Sequence, residues 1–255
     1  MAITDAVAAA GRAERDLDVQ TKSAPGDFVT EADLASEAAI LEVLATERPD
    51  DEVLAEESGS HPGSTGLRWL IDPLDGTANF VHGRREYAVS VGVEHLNPDA
   101  GGQPAGQAAI AGAIALPSFG ILHAAGADQA PGDHPAGLLV SGCAGLADAM
   151  IGIGYPRGQA REAAHVWFGD LLRDIRDYRR IGSSACDLVA VATGAQDGYV
   201  AFGVLPWDVG GGFALVRAAG GTASWVTAAS GRNVAVAGAP AVFDDLAERV
   251  AACQV

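Results

Sequence analysis

The stretch WLIDPLDGTANF, residues 69–80, decides how the rest of the chain is read. Three apolar residues, Trp69 to Ile71, run like a buried strand straight into Asp72 and Asp75, with Pro73 stiffening the turn between them. Two carboxylates about 4 Å apart repel by about 4 kcal/mol at an effective dielectric of about 20. Either something positive offsets that repulsion or one carboxylate protonates. Gly76 and Thr77 then open the next segment with backbone N–H groups, a natural seat for a phosphate, and a divalent cation would bring such a phosphate with it. A D-x-x-D pattern alone reads as a type I turn with Asp at both ends. The apolar strand before it and the Gly-Thr after it turn the reading toward a metal and phosphate site.

Three further acidic groups could join it. In LAEESG, residues 54–59, Glu56 and Glu57 follow a short apolar strand, and alternation along an extended chain lets one of the two reach a given site. In LPWDVGGG, residues 205–212, Asp208 precedes a helix and reads as its N-cap, a place compatible with metal binding. In TKSAPGDFVTEADLASE, residues 21–37, Thr30 and Asp33 form a T-x-x-D capping box, while Lys22 reads as a surface lysine. Other chemistries are missing. The glycines of GGGFALVRAAGG do not follow a strand in a dinucleotide pattern, and the six histidines have no paired-ligand spacing. Ser183 and Ser184 have no nearby histidine and no G-x-S-x-G elbow, which argues against a serine nucleophile.

Around these groups the pattern predicts helices over 3–15 and 31–47, the second with a stripe of Leu34, Ala38, Leu41 and Leu44. Short strands near 52–55, 67–71, 87–95, 110–116 and 120–125 give the first half, residues 1–125, an α+β character. The Gly-, Pro- and Asp-rich segment 126–137 reads as a linker or crossover. The second half, 138–255, alternates as α/β: strands at GLLVSG and AMIGIG, a helix over EAAHVWFGDLLRDI, and a helix at SACDLVAVATG. A strand at DGYVAF, a helix ending at Gly220 and Gly221, strands near 222–226 and 233–237, and a last helix from Ala241 complete it. The two halves are expected to form one domain of 255 residues. A formal charge of −17 argues against nucleic acid or an anionic membrane as a partner. Three scattered cysteines, no signal-peptide pattern, and an apolar window over 108–127 broken by Pro117, Ser118 and His123 predict a soluble cytoplasmic protein.

Taken together, DFVTEAD, EES, WLIDPLDGTANFVHG, GSSACDLVAVATG and PWDVGGGFALVRAAGG resemble the inositol monophosphatase family, in the family's order and spacing across nearly the whole chain. The resemblance implies a layered αβαβα sandwich, hydrolysis of a small phosphorylated metabolite with two or three Mg2+ per site, and a homodimer. It assigns Glu56, Asp72 and the Leu74 carbonyl to one Mg2+, with Asp72, Asp75 and Asp208 completing a second. It places the Gly76 and Thr77 N–H groups on the phosphate. Thr77 and Asp33 would orient a metal-bound water, with Glu56 assisting, and Lys22 falls near the metal loop. Ser183, Ser184 and Ala185 would lie at the alcohol part of the substrate, and Asp75 and Asp208 would also contact the substrate. All-oxygen ligands suit Mg2+, and two such ions can activate water without a covalent intermediate, in keeping with the missing nucleophile.

Two departures bear on the substrate. Where the inositol-specific pattern has a glutamate, seven residues before the WD aspartate, this chain has Ala201. Arg84, Arg85 and Glu86 stand where the family commonly has an aromatic-Pro step, and the usual GxGAxxNG hairpin is missing. Both weaken an assignment to inositol phosphate itself. They suggest another polyol, sugar or nucleoside phosphate, with histidinol phosphate and 3′-phosphonucleotides as alternatives and a charged group that an arginine could meet. A non-catalytic regulatory protein on the same scaffold is the alternative of another class.

Overall fold

A computed structural model of the chain describes residues 20–21, 28–96, 104–126, 137–155 and 160–254. The helix expected over 3–15, Lys22 and nearly all of the 126–137 segment lie outside the described residues.

Strands β1 (Gln20–Thr21) and β2 (Phe28–Val29) pair antiparallel and lead into helix α1 (Glu31–Glu47). The expected capping box is present. The extended Thr30 backbone ends in an N–H 2.8 Å and a hydroxyl 2.6 Å from Asp33 Oδ2, while Thr30 Oγ1 accepts from Ala32 N. Only half of the expected stripe of α1 is buried, with Leu44 in the core and Leu41 packed against it. Leu34 and Ala38 are exposed, and the buried face carries Ala32, Asp33, Ser36, Glu37, Ile40 and Leu44. Apolar periodicity misplaces this face because three of its buried residues are polar and serve neighbouring loops.

The first sheet holds β3 (Glu52–Ala55), β4 (Gly59–His61), β5 (Leu67–Asp75), β6 (Ala88–His95), β7 (Ala109–Leu116) and β8 (Ile121–Gly126), in the order β4-β3-β5-β6-β7-β8. All neighbours are antiparallel except β3 and β5. Strand β5 does not stop at Ile71 as expected. It continues through Asp72 and Asp75 with a slipped register, Asp72 opposite Ser90 but Asp75 opposite Ala88. Three steps on one strand face two on the other, which is a bulge. Pro73, lacking an N–H for the ladder, sits inside it.

The second sheet holds β9 (Met150–Gly154), β10 (Asp177–Arg179), β11 (Gly198–Phe202), β12 (Thr222–Thr227) and β13 (Asn233–Gly238), ordered β10-β9-β11-β13-β12. The first three run parallel and the last two antiparallel. The GLLVSG segment is not a strand. It is tied instead by Val140 N to Ala219 O and by Ser141 Oγ to Asp197 Oδ1.

Helices α4 (Ser184–Ala192) and α5 (Pro206–Ala218) fill the space between the sheets. Alternation on β11 explains both faces. Tyr199 and Ala201 join the central core with Leu188 and Phe213, whereas Val200 and Phe202 join the outer core under α3 (Ala160–Leu171) and α6 (Pro240–Ala251). With α1 packed on the far side of the first sheet, the layers run α, β, α, β, α. Helix α5 presses unusually close to the first sheet. A Cβ on Gly211 would sit 2.8 Å from Ser90 Oγ and 2.9 Å from Val91 O. Gly210 and Gly211 make room for that contact, against Leu70 and against Ser90 and Val91, while Gly212 makes room for Leu188 of α4.

Candidate active site

The bulge of β5 re-aims the two aspartates, and α1 holds it from behind. Ser36 Oγ donates to Pro73 O at 2.9 Å. Glu37 accepts from Glu57 N at 2.9 Å and Ser58 N at 2.8 Å, fixing the turn that follows β3. Glu56 N donates to Ile71 O at 3.1 Å, so Glu56 lies beside the end of β5. Helix α2 (Thr77–Val81) then starts at Gly76, whose φ of 90° lies in the left-handed region that favours glycine.

A cavity of about 360 Å³ opens at this place, lined by Glu56, Asp72, Leu74, Asp75, Gly76, Thr77, Ser183, Ser184 and Asp208. Residues up to 152 positions apart, Glu56 and Asp208, thus share one wall. Asp33 is buried behind it, its Oδ1 3.1 Å from Thr77 Oγ1, and the same hydroxyl is 3.0 Å from Leu74 O. Ala185 reaches the set through its N–H, which with Ser183 Oγ donates to Asp75 Oδ2 at 2.5 and 2.7 Å. Asp208 is not the N-cap of α5 as the sequence suggested. Leu205 caps, Pro206 takes the first helical position, and Asp208, in the first turn, accepts from Leu205 N at 2.6 Å.

The electrostatics are those of acids crowded out of water. Burial, then the neighbouring Glu56, Asp75 and Asp208, hold the Asp72 carboxyl well above the usual range. Burial raises Asp75 to about 6 against the Ser183, Ala185 and Gly76 hydrogen bonds, and burial with Asp75 raises Asp208 to about 8. Asp33 is raised mainly by burial. Glu56, Asp72, Asp75 and Asp208 around a common space are an all-oxygen donor set, which fits Mg2+ or another hard cation better than zinc or copper. Among the described residues, no three acidic, histidine or cysteine side chains already stand together as a metal-holding group. Asp75 and Asp208 each have one oxygen turned onto protein donors instead.

Among the cavity liners that sequence reasoning missed, four carry polar groups in the second half of the chain: Arg180, Asp187, Tyr199 and Trp207, besides Tyr155. The Tyr199 hydroxyl donates to Ser184 Oγ at 2.9 Å. Gln196 Nε2 donates to Asp187 Oδ1 at 2.9 Å, and burial pushes that carboxyl up to about 8. A polar residue inside the apolar helix SACDLVAVA was the one available signal for Asp187. Arg84 and Arg85 are not among the cavity liners. Arg84 pairs with Glu86, while Arg85 donates to Ser118 O at 2.6 Å with its guanidinium 4.5 Å from the Phe119 ring centre. Ala201 is fully buried against the central core.

A model of the inositol monophosphatase family matches residues 2–253. The chain is 34% identical over 251 residues to the Nus factor SuhB of Pasteurella multocida, covering 94% of this chain and 89% of that one. It is 35% identical over 213 residues to the inositol-1-monophosphatase of Mesorhizobium japonicum, covering 82% and 76%. The crystal structure of the extragenic suppressor protein SuhB from Bartonella henselae superposes with a TM-score of 0.82 at 28% identity, covering 97% of this chain and 93% of that one.

Proposed function

The chain belongs to the inositol monophosphatase family, and from that premise we propose that it hydrolyses a small phosphate monoester of a polyol or sugar with Mg2+. The observation that carries the proposal is the convergence of Glu56, Asp72, Asp75 and Asp208 on one cavity beside Gly76 and Thr77. Glu56, Asp72 and the Leu74 carbonyl would hold one ion, and Asp72, Asp75 and Asp208 a second. Two bound Mg2+ ions would supply an activated water and stabilise the departing alkoxide. Thr77, whose hydroxyl donates to Asp33, would with Asp33 orient the attacking water, and Glu56 would assist. Gly76 and Thr77 would direct N–H groups at the phosphate, and Ser183 and Ser184 would meet the alcohol part. Nothing in this scheme needs a covalent phosphoenzyme.

Histidinol phosphate and 3′-phosphonucleotides are the alternative substrates. The likeness to a protein called Nus factor SuhB supports a second reading, a regulatory binding protein on the same scaffold. We place the protein in the cytoplasm as a homodimer, on the family likeness. Among the described residues, no helix is long and apolar enough to cross a membrane.

Phosphate release from a panel of polyol, sugar, amino-alcohol and nucleotide monophosphates tests the proposal. Wild-type protein releases phosphate with Mg2+ and not with EDTA, and Asp75→Asn loses at least about 100-fold in rate, close to 2.7 kcal/mol of barrier. Undiminished release by Asp75→Asn removes the catalytic assignment.

A further inference from the structure

Helix α1 buries three polar side chains on one face, Asp33, Ser36 and Glu37, at the i, i+3 and i+4 spacing that makes neighbours on a helix surface. Each reaches a different segment of the cavity wall. Asp33 accepts from the Thr77 hydroxyl at 3.1 Å, and Ser36 Oγ donates to Pro73 O at 2.9 Å. Glu37 accepts from Glu57 N at 2.9 Å and from Ser58 N at 2.8 Å. Pro73 follows Asp72, and Glu57 follows Glu56. One helix therefore holds the backbone directly after each of the two carboxylates that the phosphatase reading gives to one ion.

The direction of Glu56 depends on that hold. Strands β3 and β5 run parallel with Ala55 opposite Ile71, and Glu56 N still donates to Ile71 O at 3.1 Å, which sets Glu56 beside Asp72. The chain then leaves the ladder in a turn at 56–58, whose Glu57 and Ser58 N–H groups converge on the Glu37 carboxyl. Satisfying that turn does not need a buried acid. Ser58 is exposed, so water can serve its N–H, and an acid buried behind a cavity of acids adds desolvation and repulsion. What the carboxyl supplies and water does not is a fixed distance between the turn and the helix.

We propose that Glu37 is a positioning residue for the ion assigned to Glu56 and Asp72: by holding the backbone of Glu57 and Ser58 while Ser36 holds Pro73, it sets the separation of the two carboxylates and so the affinity for that ion. The inference rests on the phosphatase reading above for the assignment of the ion, and goes beyond it in naming what tunes the binding. Replacing the group that orients a metal ligand typically costs about 10–100-fold in metal affinity.

Mn2+ binding to the full chain by calorimetry, beside urea midpoints measured in EDTA, tests it. Glu37→Gln keeps the shape of the side chain but turns an NH2 group toward backbone donors, so at most one of the two hydrogen bonds survives. For the Mn2+ ion that Glu56→Gln loses, the dissociation constant is expected to rise at least about tenfold in Glu37→Gln. Added to Glu56→Gln, the same change has little further effect on Mn2+ binding, the non-additivity of residues that act through one another. Ser36→Ala loosens the Asp72 side without altering an acid, raises the same constant, and decides the matter should Glu37→Gln not fold. Unchanged Mn2+ affinity, whatever the urea midpoint, or a loss that adds in full to that of Glu56→Gln, overturns the role of Glu37 and leaves the cation site standing. Wild-type protein that binds no Mn2+ ends both readings.

Discussion

Each carboxylate in the cavity is costly by itself, and the cost has a measurable sign. Asp75 and Asp208 have pKa values raised from 3.8 to about 6 and about 8, and Asp72 is raised as well, first by burial and then by mutual repulsion. Without a divalent cation the folded chain therefore holds more protons than the unfolded chain between about pH 4 and 8, and its stability falls as pH rises through that window. Each such proton contributes at most about 1.4 kcal/mol per pH unit. Urea midpoints measured in EDTA are expected to drop from pH 5 to pH 8, and to flatten or rise when Mg2+ is added, since cation binding requires the deprotonated acids. A midpoint independent of pH in EDTA contradicts the crowding of acids described here. The acidic residues themselves were legible, because DPLDGT, EES and WD stand out as words. Glu37 and Ser36 were not. They sit on a helix face where polar residues look like solvent contacts, and only their reach to Ser58 and Pro73 shows otherwise.

At the scale of elements, α5 is the piece that joins the second half of the chain to the first sheet. Its glycines let backbone touch backbone, which also sets where Asp208 enters the cavity. Gly211→Ala gains about 1 kcal/mol of helix propensity but must push Ser90 and Val91 aside, an overpacking cost of about 1–3 kcal/mol. A lower urea midpoint with weakened Mg2+ binding is expected. An unchanged midpoint means that the helix can slide and that its position is not fixed by this contact. Most elements were readable from period and punctuation: α1, β3, β6 to β9, β11 to β13 and the three last helices lie within a few residues of their expected places. The misses share a cause. The strand β10 and the strand β4 are only three residues long, too short for a period to show. GLLVSG has the apolar run of a strand but no neighbour to pair with, and the bulge in β5 depends on a partner strand that no local pattern reveals.

For the whole molecule, two stacked sheets bring four acids from three distant acidic words to one cavity, and nothing local predicts that distance closing. The layered order was expected from resemblance alone, and pattern accounted for the layers only once the alternation on β11 had been seen to serve two cores. The central claim is that these acids together hold hard cations. Crystals soaked in Mn2+ and measured at its anomalous edge test it most directly. The account predicts strong peaks in the cavity between Glu56, Asp72, Asp75 and Asp208, lost from Asp75→Asn crystals in part or entirely. A map with no peak there, at a Mn2+ concentration that supports phosphate release, contradicts it.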